Sequence, residues 1–304
     1  MATPPQEHDQ IPYPSEPATK GSRDVERNRW ETLIRLLEDD SPVVLAEVRA
    51  QFRRGGQPAR RALERAVRSG SARQRARARQ LLTDKARQQI VKRLLRRATA
   101  GVKLESALFL LDNFYAPGLD TRPYRKALDA MADKVRRAAS TKQDASGRAH
   151  ALVEVLTGEL GFRGAVEDFH HPDNIFLWRS IEKRRGMPLT LCAIYSFVAE
   201  RAGLKTSLLP FPGHVLLRLH VGSRKQSQIV DPFGGGQILS EGQCLSYLSE
   251  HKLPYRPEWF EAASDAALFE RHVCNLARSC QGRGRGGEAR ELNKVLAALT
   301  HRRV

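Results

Sequence analysis

The sequence predicts an α+β protein with a helical front half, a mixed helix–strand segment and a closing helical hairpin. Apolar residues recur at helical spacing, interrupted by Gly, Pro and Ser, over residues 25–160. Short runs of alternating or β-branched residues, bounded by Pro and Gly, occupy 205–233. Helical spacing then returns at 265–300. Helices followed by a strand-containing segment are typical of the α+β class.

The front half is predicted to consist of short helices behind a tail. Residues 1–24 are rich in Pro, Gln, Ser and Thr and are predicted to be a disordered tail. Helices of about 10–14 residues with tight breaks then fill 25–100, which is typical of HEAT-like repeats. One of these helices is predicted to start at Ser41 and Pro42. The last two are predicted to be separate helices, one ending at Asp84 and one beginning at Lys85.

The remainder is predicted as two further domains. A domain with a helical lead-in is expected at 101–260, and a tetratricopeptide-like helical hairpin at 261–304. Within the first of these, a helix is expected at 172–186, capped by Asp173 or Asn174. An apolar helix follows, and then three strands with the sequences KTSLLPF, HVLLRLHVG and QSQIVDPF.

The composition excludes several classes of protein. Of the 304 residues, 41% are hydrophobic, which is enough for a sizeable core. No apolar run approaches the ~18 residues of a membrane span, and no signal peptide is recognisable, so we expect a cytoplasmic protein without membrane contacts. The four cysteines are too few for a disulfide scaffold and include no Cys-x-x-Cys pair. We therefore expect no structural metal and no bound cofactor.

The excess of positive charge is concentrated in one segment. Residues 48–98 contain 17 Lys and Arg but only two acids, Glu64 and Asp84. Such a stripe attracts phosphate backbones, so nucleic-acid binding through this segment is one interpretation. The other interpretation, which we favour, is that the basic side chains form the solvated faces of helices.

Three short motifs carry a resemblance to a known family. They are G-M-P at 186–188, P-G-H at 212–214 and D-P-F at 231–233, separated by the apolar helix and the strands. In this order they resemble the SirB family of the transglutaminase-like superfamily. The resemblance extends over most of the chain and implies a transglutaminase-like, papain-like α+β domain for the mixed segment.

The resemblance also implies a Cys-His-Asp catalytic triad. In the superfamily a cysteine at a helix N-terminus is the nucleophile, a histidine at the start of a following strand is the base, and an aspartate on the next strand orients that histidine. His214 and Asp231 occupy the last two positions, and we expect their side chains to lie within hydrogen-bond distance. We also place Asn174, Trp178 and Gly186 in the cleft on this basis.

The position of the nucleophile is occupied by a proline. The register of the superfamily, counted back from Gly203 at the end of the apolar helix, leads to Pro188. Proline suits the first turn of a helix but provides no nucleophile. Cys192 is the one thiol on this helix, and it lies a full turn deeper, about 5.4 Å along the axis. We interpret Cys192 as a buried apolar residue and consider it a nucleophile only in the alternative below.

Two classes of function follow. We favour a non-catalytic transglutaminase-like protein that binds a protein or peptide partner. The alternative is a cysteine-dependent hydrolase or acyltransferase that uses Cys192 with His214 and Asp231. Nucleic-acid binding through 48–98 is a further alternative. The first two classes are distinguished by whether a thiol can reach His214.

Overall fold

The computed structural model describes residues 20–142, 144–220 and 227–301. The chain divides into two compact units, Met1–Lys85 and Ala86–Val304. Among the described helices, none is both long enough and apolar enough to cross a membrane. The candidate site lies in the second unit.

The first unit is helical. It contains α1 (Lys20–Arg35), α2 (Pro42–Arg54), α3 (Gln57–Ser69) and the first part of α4 (Ala72–Ala100). Ser41 caps α2 by accepting a hydrogen bond from the Val44 amide, with Pro42 in the first turn, as predicted. Trp30 and Phe52 pack at the centre of the core, with ring centroids 5.3 Å apart. The HEAT-like arrangement of these helices stays a prediction.

At both ends of this unit, a helix extends beyond its predicted boundary. The predicted tail 1–24 lies largely outside the described residues, and its last residues, from Lys20 onward, belong to α1. The prediction of two helices that meet at Asp84 and Lys85 is wrong, because α4 runs without a break from Ala72 to Ala100. No Gly or Pro occurs within that run, so no residue there interrupts the helical hydrogen bonds.

Some basic residues of segment 48–98 take part in the fold of the first unit. Arg73 forms a 2.8 Å ion pair with Asp40, and Arg77 donates a 2.6 Å hydrogen bond to the Leu37 carbonyl. These contacts fix the start of α4 to the loop before α2. Nucleic-acid binding by the remaining basic residues stays a prediction.

The second unit combines helices with two small sheets, which confirms the α+β class. After the end of α4, its helices are α5 (Leu104–Tyr115), α6 (Arg122–Ser140), α7 (Ala145–Val153), α8 (Leu177–Lys183), α9 (Pro188–Arg201), α10 (Glu241–Glu250), α11 (Asp265–Gly282) and α12 (Gly286–Thr300). Its strands are β1 (Arg163–Gly164), β2 (Arg185–Gly186), β3 (Lys205–Leu209), β4 (Leu216–His220), β5 (Ser227–Asp231) and β6 (Gln237–Leu239).

The larger sheet is antiparallel, with the strand order β3-β4-β5-β6. Three of its strands coincide with the three predicted runs. The fourth, β6, was not predicted, because it is only three residues long and follows a glycine-rich turn. Alternate residues of β4 face opposite sides: Leu217 and Leu219 enter the main core, whereas Leu216 belongs to a smaller cluster on the other face.

Helix α9 forms the centre of the main core. Every residue from Pro188 to Ala199 is buried, because α9 packs against β3 and β4 and also against α6 and α8. The run LTLCAIYSFVA, with no charged residue, is typical of a helix buried on all sides. Side chains at the start of α9 are therefore held in fixed positions.

Helix α8 is shorter than the helix predicted at 172–186. It begins at Leu177, where the Asp112 carboxylate accepts hydrogen bonds of 3.0 Å from the amides of Leu177 and Trp178. The cap is thus provided by α5, and not by Asp173 or Asn174 as predicted. The helix ends at Arg184, whose φ of 56° lies in the left-handed region.

Helices α11 and α12 pack against each other as the predicted hairpin. The turn between them contains Gly284 with a φ of 71°, a conformation that favours glycine. Leu276 on α11 and Val295 on α12 are fully buried in the main core. The likeness of this hairpin to tetratricopeptide repeats stays a prediction.

Candidate functional site

The sheet brings His214 and Asp231 together. His214 lies two residues before β4, Asp231 ends the neighbouring strand β5, and Nε2 of the histidine is 2.8 Å from Oδ1 of the aspartate. The two side chains are 19% and 17% exposed, so the pair is shielded from water and still accessible. The predicted hydrogen-bond distance is confirmed. The catalytic role of the two residues stays a prediction.

A tight turn after β5 fixes the Asp231 carboxylate. Its Oδ1 also accepts a 3.0 Å hydrogen bond from the Phe233 amide, and the carboxylate accepts another from the Gly234 amide. A Cβ at Gly234 would lie 2.6 Å from Oδ2 of Asp231, so this close approach requires glycine. Burial by itself would raise the pKa of Asp231, but the hydrogen bonds from His214 and the turn outweigh it and lower the pKa.

The Asp231 contact determines which nitrogen of His214 remains available. A carboxylate accepts hydrogen bonds, so Nε2 carries the hydrogen in the neutral ring and Nδ1 is an acceptor. Among the residues that the structure describes, none forms a hydrogen bond with Nδ1. The ring also contacts Phe233 edge-to-face, with centroids 5.7 Å apart. His214 is therefore oriented as a general base would be, with one nitrogen free to take a proton.

The start of α9 is positioned by the loop before α8. The amide of Met187 donates a 2.8 Å hydrogen bond to the Asn174 carbonyl, and the Asn174 side chain donates to the Asp168 carbonyl at 2.9 Å. Pro188 follows as the first residue of α9, where its missing N–H costs no hydrogen bond. The expected nucleophile position is thus a helix start with no reactive side chain.

Cys192 has the properties of a core residue. Its side chain is fully buried and its thiol donates a 3.1 Å hydrogen bond to the Val215 carbonyl. Burial raises the pKa of this thiol well above its usual range, and the nearby Asp231 charge raises it further. A neutral, hydrogen-bonded thiol is a poor nucleophile, so these properties agree with our interpretation of Cys192 as a buried residue.

A cleft of about 790 Å³ opens beside Pro188. The α9 side and the loop before β4 contribute Pro188, Leu189, Gly213 and Val215, so His214 lies between two lining residues. The hairpin contributes residues of α11 and α12. We refer to this space, lined by α9, the loop before β4, α11 and α12, as the Pro188 cleft.

Three residues that the resemblance placed in the cleft are not among those that line it. Asn174, Trp178 and Gly186 are buried and organise the loops around α9 instead. Gly186 pairs with Gly164 across β1 and β2, and a Cβ at Gly186 would lie 2.8 Å from the Ser180 hydroxyl. The placement of these three residues in the cleft is therefore not supported by the lining of the Pro188 cleft.

Helix α11 provides a wall of the cleft that the sequence did not predict. Arg271, Cys274, Asn275 and Arg278 all line the Pro188 cleft. Their spacing of three, four and seven residues puts them on one face of a helix, which is a signal that the sequence contains. The sequence alone does not show that this face borders a cavity. Among the described residues, no group of three or more His, Cys, Asp or Glu side chains is arranged to hold a metal ion.

The family model of the transglutaminase-like superfamily matches residues 122–273. That range is half of the chain and includes α9, the larger sheet, His214 and Asp231. The chain belongs to the transglutaminase-like superfamily. The finer resemblance to the SirB family stays a prediction.

Similar proteins support this membership. A UPF0162 protein of Xylella fastidiosa is 28% identical over 148 residues, which is 49% of this chain and 52% of that protein. A UPF0162 protein of Haemophilus influenzae is 28% identical over 151 residues, covering 48% and 55% of the two chains. The human F-box only protein 21 is 26% identical over 107 residues, covering 33% of this chain and 17% of that protein. The chain thus matches about half the length of the UPF0162 relatives. No solved structure matches.

Proposed function

We propose that this transglutaminase-like protein is not a catalyst and instead binds a peptide segment of a partner protein in the Pro188 cleft. The observation that carries the proposal is the identity of the first residue of α9. Pro188 stands where the resemblance places the nucleophile. Cys192, the cysteine of α9, is buried, and its thiol donates a hydrogen bond to the Val215 carbonyl. Acyl transfer through a thioester requires an accessible thiolate.

The dimensions and walls of the cleft suit a peptide. A volume of about 790 Å³ falls within the range of about 300–1,000 Å³ that is usual for ligand sites. Apolar side chains such as Leu189 and Val215 line it together with hydrogen-bond donors such as Asn275. Apolar walls with a few polar groups bind and orient a ligand without any need for a chemical step.

The retained His214–Asp231 pair favours a second candidate, a cysteine-dependent hydrolase or acyltransferase. In that case Cys192 would have to leave its hydrogen bond with Val215 and ionise in a buried environment. Replacement of Cys192 by alanine separates the two candidates, because binding in the Pro188 cleft does not use this thiol and catalysis would.

Cys274 provides a native handle for testing the proposal. Of the four cysteines, all in the described part of the chain, Cys192, Cys244 and Cys280 are buried, whereas Cys274 is partly exposed and lines the cleft. A phage-displayed library of random twelve-residue peptides is selected on the protein, with counter-selection on protein that carries a bulky maleimide at Cys274. Affinities of the selected peptides are then measured by fluorescence anisotropy.

The expected result is peptide binding that depends on the α11 wall. Asn275→Trp fills part of the cleft and should weaken the selected peptides about tenfold or more, equivalent to about 1.4 kcal/mol. Gln281→Trp, an exposed position on the same helix, is the matched control and should bind normally. Cys192→Ala should also bind normally. Failure to enrich any peptide, or peptides that are cleaved or acylated in a Cys192-dependent manner, would overturn the proposal.

A further inference from the structure

One face of α11 presents hydrogen-bond donors to the Pro188 cleft without acidic partners. Arg271, Asn275 and Arg278 all line the cleft. Arg271 donates one hydrogen bond, of 3.2 Å, to the Phe211 carbonyl. Within the described residues, Asn275 and Arg278 make no side-chain hydrogen bond, and neither arginine forms an ion pair.

Two other arginines of the same hairpin, outside the cleft, have carboxylate partners. Arg283 forms a bidentate ion pair with Asp168, with both distances 3.0 Å, and Arg285 pairs with Glu288 at 2.8 Å. Arg290, exposed on α12 and outside the lining of the cleft, has no ion pair in the described structure either. Arg271 differs from Arg290 and Arg278 because it is not fully exposed to water, so it is the unpaired arginine for which a carboxylate on a ligand would matter most.

Arg271 is partly buried, unlike the exposed Arg278. Burial lowers the pKa of the Arg271 guanidinium. Withdrawing a charge from water is costly unless an opposite charge or hydrogen bonds compensate for it. One carbonyl uses one of the five guanidinium N–H groups, which leaves most of the donors available. A carboxylate could accept two of them in parallel.

The composition of the cleft determines what else the ligand contains. Glu270 also lines the cleft, so the two arginines outnumber the acids of this wall by one. Leu189, Val215 and Leu296 add apolar surface. A ligand that fits this cleft therefore combines negative charge with apolar groups, and a free inorganic anion would leave the apolar surface unused.

The spacing of the arginines sets the spacing of the acids. Arg271 and Arg278 are seven residues apart, which is about 10.5 Å along a helix. An extended peptide advances about 3.3 Å per residue, so acidic side chains two to four residues apart span a comparable distance. A single C-terminal carboxylate matches only one of the two arginines.

We propose that the Pro188 cleft recognises an acidic, extended peptide segment of a partner protein. Two Asp or Glu side chains of that segment bind Arg271 and Arg278, and an apolar residue between them packs against Leu189 and Val215. Asn275 donates to the backbone of the same segment. This inference rests on the proposed function and specifies the chemistry of the peptide.

The test uses defined peptides as probes. An array of ten-residue peptides, acetylated and amidated at their ends, contains two Glu separated by one to five Leu or Ser residues. A matched array carries Gln in place of Glu, and a third carries one free C-terminal carboxylate and no Glu. Binding of the full chain is measured on the arrays and then by fluorescence anisotropy in solution.

The Glu peptides are expected to bind at least about tenfold more tightly than the Gln peptides, with an optimum for acids two to four residues apart. Arg271→Gln and Arg278→Gln should each remove most of this preference. Arg278 is exposed, so its variant tests the inference even if Arg271→Gln impairs folding. Arg283→Gln, which breaks the ion pair with Asp168 outside the cleft, is the matched control and should bind as the parent does.

The outcomes separate this inference from the proposed function. Equal binding of Glu and Gln peptides, with both lost in Asn275→Trp, would overturn the acidic preference and leave peptide binding intact. Tight binding of the peptides that have only a free C-terminal carboxylate would likewise overturn the role of acidic side chains. If neither these arrays nor the random library yields a peptide that binds, both proposals are wrong.

Discussion

The two halves of the candidate site differ in how much of the transglutaminase-like arrangement they keep. On the sheet side, His214 and Asp231 lie 2.8 Å apart, and the turn after β5 holds the carboxylate with two backbone amides. On the helix side, α9 begins with Pro188. The thiol of Cys192, one turn further along α9, donates a hydrogen bond to a backbone carbonyl in the core. The sheet side holds the expected histidine–aspartate pair, and the helix side has a proline at the position where the resemblance places the nucleophile.

The His214–Asp231 pair has a structural role that does not depend on catalysis. Asp231 accepts hydrogen bonds from His214 and from the Phe233 amide, and the Phe233 carbonyl accepts one from the Gly164 amide in β1. The pair thereby connects the larger sheet to the smaller one. Pro188 has no such network, because the first residue of a helix needs no N–H partner. The fold therefore does not require a nucleophilic residue at this position.

The largest expected effect is on the sheet side, with Asp231→Ala. The substitution leaves the partly buried His214 ring and the Phe233 and Gly234 amides without an acceptor, so we expect the free energy of unfolding to fall by about 3 kcal/mol. Asp231→Asn keeps an acceptor oxygen and should lose about 1 kcal/mol. Urea denaturation measures both. A loss below about 0.5 kcal/mol for the alanine variant would refute the structural role of the pair.

The second-largest expected effect is on the pH dependence of the free energy of unfolding, through His272 on α11, the helix that lines the Pro188 cleft. His272 on α11 is buried, and burial lowers its pKa from 6.5 to about 4. The unfolded chain binds a proton below pH 6.5 and the folded chain does not until about pH 4, so stability is full above pH 6.5 and decreases as the pH falls through this window. From pH 7 to pH 5 this amounts to about 2 kcal/mol.

The measurement compares the parent with His272→Gln by urea denaturation at pH 7 and pH 5. The variant has no titrating ring, so its loss of stability over this range should be smaller than that of the parent by about 2 kcal/mol. Parallel losses in the two proteins would show that His272 titrates normally and that α11 is less firmly packed than the structure indicates.

The sequence predicted the sheet side of the site better than the helix side. His214 and Asp231 could be placed because each adjoins a strand run with clear boundaries, and neighbouring antiparallel strands bring their ends together. Pro188 could be placed from the register of the resemblance. The Asp112 cap of α8 could not, because its partners lie 65 and 66 residues away in the chain. A contact of that separation leaves no local pattern.

The cleft wall was missed for a related physical reason. The sequence gives the face that Arg271, Asn275 and Arg278 share, but a solvated face and a cleft-lining face have the same spacing. The continuous α4 was missed because Asp84 and Lys85 look like a polar junction, although neither residue breaks a helix. Tertiary packing decides both cases, and packing is not visible in the spacing of residues along the chain.

The smallest expected effect on stability is that of Pro188→Cys on the helix side. Cysteine has an N–H that the first helical turn leaves unpaired in any case, and the loss of proline mainly increases the freedom of the unfolded chain. We expect the free energy of unfolding to change by less than about 1 kcal/mol. Thermal or urea denaturation measures it, and a loss above about 3 kcal/mol would show that Pro188 is required by the fold.

The same variant provides the most direct test of whether the site is complete except for its nucleophile. In a Cys274→Ser background, the three remaining native cysteines are buried, so the rate of iodoacetamide alkylation at each pH reports the thiol introduced by Pro188→Cys. We predict a thiol pKa at least about one unit below the ordinary value of ~8.5, and a return to about 8.5 when His214→Gln is added. A thiol that titrates near ~8.5 with or without His214 would contradict the account.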